Sequence, residues 1–165
     1  MFCRIAASGR LCGAMVAANT IRVQGEHMNS RSGQCNCGAV HFDADDVELE
    51  FSACHCRMCQ RWSGGIFLAT SVGSVRFTGE ENLKRFRTSD WAERGFCDVC
   101  GASLFYHLLK LDKYEMCVGA FDNVDDFVLT GEIFIDRKPG GYAIAGEHPR
   151  LTEADTIAKY SECTN

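Results

Sequence analysis

The chain has 165 residues, 46% of them hydrophobic and 24% charged, with a formal net charge of −5. That length holds one domain with a real core and is short for two. The acidic balance, relieved only by the short run Lys84-Arg85-Phe86-Arg87, argues against a nucleic-acid surface, and no stretch approaches the roughly 18 apolar residues of a membrane helix.

Residues 1–27 stand apart. They carry Arg4, Arg10 and Arg22 and no acid before Glu26, and the apolar piece LCGAMVAA is short and broken by Gly13. A signal or transit peptide is one reading of such a segment. The other is an upstream start, because Met28 opens MNSRSGQCNCGAV, which reads as the beginning of a domain. The expected division is an N-terminal extension over 1–27, not part of the fold, and a single domain over 28–165. From Val40 onward the pattern is one of short strands. Val40 and Phe42 alternate with polar residues, as do Val47, Leu49 and Phe51. Then come IFLATSVGSVRFTG, RGFCDVCGASLFYHLL, YEMCVGAF and FVLTGEIFI, rich in β-branched and aromatic residues and cut by glycine. Strands at this spacing predict an all-β sandwich or barrel. Only the tail reads as helix: LTEADTIAKY offers Thr152 as N-cap, with Asp155 three residues later.

Cysteine is the unusual component. Of eleven, seven lie between positions 35 and 100: Cys35, Cys37, Cys54, Cys56, Cys59, Cys97 and Cys100. An odd number at short spacings suits metal ligation better than a disulfide framework, and unpaired thiols suit the cytoplasm. Cys117, in the apolar run YEMCVGAF, reads as a buried small hydrophobe. Two segments echo each other, CNCGAVHF at 35–42 and CDVCGASLF at 97–105. Each is a cysteine pair, a glycine able to take positive φ, and the start of a strand. Facing each other, they would offer Cys35, Cys37, Cys97 and Cys100 to one zinc ion, and a closed four-cysteine site is structural. Cys54, Cys56 and Cys59 remain, and three protein ligands are what a catalytic zinc with an open position keeps. In an extended CHC segment His55 points away from its neighbouring cysteines. A structural zinc completed by a distant residue, or an iron–sulfur cluster, stays open at this stage.

The ordered set CxCGA at 35–39, CHCxxCxRxSG with a nearby Phe at 54–67, and CxxCG at 97–101 resembles the glutathione-dependent formaldehyde-activating enzymes, the family that includes centromere protein V. The later stretch GEIFIDRKPGGYAIAGEHPRL is similar to that family's C-terminal part, and the resemblance spans roughly residues 33–152. It implies a mainly β, Mss4-like fold of stacked short antiparallel sheets with zinc knuckles and a short C-terminal helix. It also implies two zinc ions, one structural and one catalytic, and carbon–sulfur lyase chemistry joining glutathione to formaldehyde. A thiol with an ordinary pKa near 8.5 is mostly neutral at pH 7 and is deprotonated when a metal holds it. Glutathione also carries two carboxylates. Arg61 and Lys138 are the expected cations for them, ahead of Arg57, and Ser63-Gly64-Gly65 offers backbone N–H groups. Many relatives carry a tryptophan where this chain has Gly140-Gly141, beside Tyr142. The rival reading is a non-catalytic zinc-stabilised β scaffold for protein interaction, since fold does not fix function.

Overall fold

The computed structural model describes residues 29–161; the extension expected over 1–27 lies outside the described residues. In chain order the strands are β1 (Arg31–Gln34), β2 (His41–Asp45), β3 (Glu50–Cys54), β4 (Phe67–Val72), β5 (Ser74–Thr78), β6 (Leu83–Arg87), β7 (Ala92–Cys97), β8 (Ser103–Leu108), β9 (Lys113–Cys117), β10 (Val128–Ile133) and β11 (Arg150–Leu151). Two helices complete the set, α1 (Arg57–Ser63) between β3 and β4, and α2 (Glu153–Ser161) at the end. The fold is mainly β, as expected.

The strands form two sheets. One is three-stranded in the order β1-β2-β5, and the other eight-stranded in the order β11-β10-β3-β4-β9-β8-β7-β6. Pairing is antiparallel except at one edge, where β10 runs parallel to both β3 and β11. That edge matters for the site, because it sets Glu132 beside Ala53 and Ile133 beside Cys54. The core lies where the small sheet covers the large one. Phe42, Val40, Ala44 and Val47 from the β2 region meet Leu104, Phe105 and Met116, all essentially buried. Phe77 of the small sheet packs its ring 5.3 Å from that of Phe105. Burying a side chain such as Phe42 or Phe105 contributes about 2–3 kcal/mol. Gly95 permits the tight fit at β7, since a Cβ there would sit 2.1 Å from Cε1 of Phe105.

The basic run Lys84-Arg85-Phe86-Arg87 is the edge strand β6, which sequence patterning left unassigned. Its charges have local partners: Lys84 reaches Asp98 at 3.2 Å, and Arg85 reaches Glu93 at 2.6 Å while stacking 4.8 Å over Phe105. Charged side chains on an edge strand discourage further strand pairing. At the other end, α2 begins as its sequence predicts. Thr152 N donates to Asp155 Oδ2 at 3.2 Å and Asp155 N donates back to Thr152 Oγ1 at 3.2 Å, a reciprocal cap.

The expectation that only the tail is helical is corrected by α1. Cys56 is its N-cap, with φ −64° and ψ 154°, and its sulfur accepts from Cys59 N at 3.4 Å. Gly64 closes it in the left-handed region at φ 73°. The helix is only seven residues long and buries one side chain, Cys59, so it has no apolar stripe for a pattern search to find.

Candidate metal centres

The two knuckles are built alike and meet. After Cys35 the chain turns so that Gly38 N donates to Cys35 O at 3.1 Å and Cys35 N to Val40 O at 2.9 Å. After Cys97 a similar pair of bonds closes a turn whose glycine lies one residue further on, from Gly101 N to Cys97 O at 2.8 Å and from Cys97 N to Ala102 O at 3.0 Å. Gly38 and Gly101 hold matching φ values of 75° and 76°, a conformation that costs a residue with a Cβ. The echo in the sequence is therefore an echo in backbone shape. The sulfurs of Cys35, Cys37, Cys97 and Cys100 all lie within 4.8 Å of one another. Cys35 and Cys37 are 3.6 Å apart and Cys37 and Cys97 are 3.8 Å apart. A tetrahedron of Zn–S bonds near 2.3 Å has S···S edges of about 3.8 Å. These thiols are free rather than disulfide-bonded, so donor chemistry and spacing both fit a four-thiolate zinc. Burial opposes ionisation of Cys35, yet N–H groups and neighbouring thiols donating to it bring its pKa down to about 6.

The second cluster sits at the junction of β3 and α1. Cys54 ends the strand, Cys56 caps the helix, and Cys59 is one turn in, facing the interior. Their sulfurs also lie within 4.8 Å of one another. This geometry differs from a continuous extended CHC. The strand stops and the helix cap curls Cys59 back toward its partners, so the CxxC spacing is a helix N-terminus. Hydrogen bonds from Cys54 and Cys59 hold the Cys56 thiol down to about 2. Cys54 is pushed up because its thiol donates to Cys56. Cysteines that share protons so closely are a donor set for a soft cation, and among the described residues no other His, Cys, Asp or Glu joins them.

His55, between two of these cysteines, points away from them, as strand alternation predicts. It is fully buried, with Nε2 2.8 Å from Glu132 Oε2 and Nδ1 3.2 Å from the Tyr142 hydroxyl. Glu132, itself 1% exposed, also accepts from His148 Nε2 and Arg150 Nε, each at 2.8 Å on Oε1. Burial opposes charge on Glu132, but these three donors hold its carboxyl down to about 2. The network fastens the Cys54–Cys56 segment from behind. Sequence patterning does not show it: Glu132, His148 and Arg150 are single residues with no spacing rule, and only the parallel pairing of β10 with β3 brings Glu132 to His55.

The structure separates the expected substrate contacts into two places. Arg61, exposed in the last turn of α1, lines a shallow groove of about 250 Å³ with Met58, Trp62, Phe86, Thr88 and Arg94. Ser63 and Gly64 form the C-terminal end of the same helix, where the Ser63 hydroxyl donates to Cys59 O at 2.9 Å and Gly65 O at 3.1 Å. Arg57 is held by Gln60 Oε1 at 2.9 Å. Lys138 lies at the other corner, where its ammonium donates to Pro139 O and Tyr142 O and sits 4.8 Å over the Tyr142 ring. Cys117 is half-buried in β9, its thiol pushed up to about 12 by desolvation. One buried residue near the cluster escaped sequence reading altogether: Arg94, in β7, donates from Nη2 to Cys59 Sγ at 3.3 Å.

A mainly β domain carrying a four-cysteine cluster and a separate three-cysteine cluster has the donor sets of a metal-binding protein. The sequence pattern described as glutathione-dependent formaldehyde-activating enzyme matches residues 30–137, and the chain belongs to that family. It is 30% identical over 134 residues, 80% of its length and 97% of the relative's, to a Schizosaccharomyces pombe protein named an uncharacterized lyase. A crystal structure of a Rhodobacter sphaeroides protein is similar at a TM-score of 0.46 and 24% identity, covering 72% of this chain and 98% of that one. Among the described residues no helix is long and apolar enough to cross a membrane.

Proposed function

We propose that the protein is a zinc-dependent carbon–sulfur lyase. It binds a small thiol, glutathione first among candidates, at the cluster of Cys54, Cys56 and Cys59 and adds it reversibly to formaldehyde or a related electrophile. The observation that carries the reading is the three-sulfur cluster itself. It has the donor chemistry of a zinc site and no fourth protein ligand among the described residues. Family membership and the lyase name of the yeast relative support the reaction class.

Cys54, Cys56 and Cys59 would hold the metal, and Cys35, Cys37, Cys97 and Cys100 the structural one. Zinc, when bound, supplies Lewis acidity that keeps a coordinated thiol deprotonated at neutral pH. The addition balances by itself. A carbon–sulfur bond forms, the carbonyl π pair moves to oxygen, and the proton given up by the thiol is matched by one taken at the new hydroxyl. The chain's part is to orient and exclude. Glu132 and Tyr142 fix both ring nitrogens of His55, which denies the histidine to the metal and leaves the coordination position to substrate. Arg61 on the groove side and Lys138 on the Tyr142 side would meet the carboxylates of a tripeptide thiol. Ser63 and Gly64 shape the C-terminal end of α1, beyond Arg61.

The test uses the cobalt-substituted full chain. Glutathione should change the d–d absorption, and S-methylglutathione, which has both carboxylates but no ionisable thiol, should leave it unchanged. No spectral response to any thiol would make the three-cysteine cluster structural and favour a scaffold that presents a protein-interaction surface.

A further inference from the structure

Arg94 is a buried cation without a carboxylate. It is 2% exposed, and among the described residues no acid lies within salt-bridge distance. Its guanidinium is enclosed by three aromatic rings, with Cζ 5.6 Å from the Trp62 centroid, 5.2 Å from Phe67 and 4.9 Å from Tyr106. Nη2 touches Cys59 Sγ at 3.3 Å, while Nη1 is sealed from solvent with no acceptor. Ring faces attract a guanidinium, but burying a charge without a counter-ion is costly even after relaxation. The anionic group within reach of Arg94 is the cysteine cluster, through Cys59.

We propose that Arg94 is a positioning residue whose enclosed guanidinium is the built-in counter-charge of the Cys54–Cys56–Cys59 cluster, holding a divalent metal there and favouring an anionic thiolate over a neutral molecule as its fourth ligand. The charge count follows from the donors and rests on the zinc reading above. Three thiolates around a dication leave one negative charge, which the guanidinium cancels. A fourth thiolate brings the ensemble to one negative charge instead of two. The four-cysteine cluster has no such need. Cys37 is exposed, so water solvates that site directly. The surroundings of Arg94 also explain why lysine is not equivalent here. A guanidinium can donate through its fork to sulfur while sitting among the rings, whereas an ammonium is a compact, strongly hydrated point charge.

Release of zinc to a chromophoric chelator, followed on the full chain under reducing conditions, tests this. The wild type should hold two zinc ions. In Arg94→Met and Arg94→Gln one zinc should leave about 10- to 100-fold faster, the range for loss of a residue supporting a metal's ligands, while the other leaves at its wild-type rate. In cobalt-loaded Arg94→Met the preference for 2-mercaptoethanol over neutral imidazole should shrink, and Arg94→Lys should restore part of it. Unchanged release in both neutral variants, equal acceleration of both metals, or failure of both neutral variants to fold would overturn the proposal. A wild type that holds a single zinc would instead bring down the two-centre reading on which it rests.

Discussion

Glu132→Gln is the most discriminating single change behind the three-cysteine cluster. The carboxylate is 1% exposed and receives three donors, His55 Nε2 on one oxygen and His148 Nε2 and Arg150 Nε on the other, each at 2.8 Å. Glutamine keeps the shape but has one acceptor oxygen. Its NH₂ must face either the His148 and Arg150 pair, which strands a buried donor, or His55, whose ring must then take the other tautomer to accept; in both cases the charge that Arg150 meets is gone. Holding a carboxyl at about 2 instead of its ordinary 4.5 favours the charged form by about 3 kcal/mol, at roughly 1.4 kcal/mol per pH unit. The expected loss on substitution is therefore about 3 kcal/mol at pH 7. The assay is the urea midpoint of both proteins, reduced and at one fixed excess of free zinc, since bound metal adds to stability by mass action. Because the folded pKa lies below the unfolded one, this contribution is fully present above about 4.5 and is lost as pH falls toward about 2. The gap between wild type and variant should be flat from neutrality to about pH 5 and close below it; comparing the two at each pH cancels the acid sensitivity of the cysteine clusters that they share. A variant within about 0.5 kcal/mol of wild type at pH 7, or a gap that widens in acid, would refute the reasoning.

Elemental analysis of protein purified under reducing conditions should give close to two zinc ions per chain; a single zinc, or iron with visible absorbance, removes the two-cluster reading. Cys97→Ser should be insoluble or melt far below wild type, because structural zinc contributes folding energy directly. Cys56→Ser should fold and lose one metal along with activity; equal damage from both would show that the clusters do not divide as proposed. Gly95→Ala should cost about 1–3 kcal/mol in a denaturant titration, the usual penalty of overpacking, because the added methyl meets the Phe105 ring. A chain starting at Met28 should keep the full metal content; loss of metal or of solubility would make the extension part of the domain.

The cysteine groups were legible in sequence because their chemistry is local. Spacing alone told CxC from CxxC, and the repeated Cys-Gly-Ala marked two similar turns, each closed by a glycine at matching positive φ. The strands were legible where β-branched and aromatic residues ran together. They were missed at β1 and β6, whose residues are polar and charged and whose pairing comes from neighbours, and at the two-residue β11, whose Leu151 was read with the helical tail. Helix α1 was hidden because its N-cap is a cysteine that reads first as a ligand. Arg94 and Glu132 were invisible for a deeper reason. Each is one charged residue in a strand, and a charged residue in a strand normally faces water. Only the folded sheet order reveals that both point inward, to Cys59 and to His55.

The two clusters are threaded one inside the other. Cys37 and Cys97, 60 residues apart, touch across the four-cysteine site, and Cys54, Cys56 and Cys59 all lie on the chain between them. A metal at the outer site closes a long loop and takes entropy from the unfolded chain, as any cross-link does. The inner site, drawn from one short segment, closes almost nothing. Demetallation should then have a direction: the inner ion can leave a protein still tied at its base, while loss of the outer ion loosens the span that holds the inner one. With metal at both sites, the outer one would act as the molecule's clasp, and the inner one would be free to trade ligands because it would not be what keeps the loop shut.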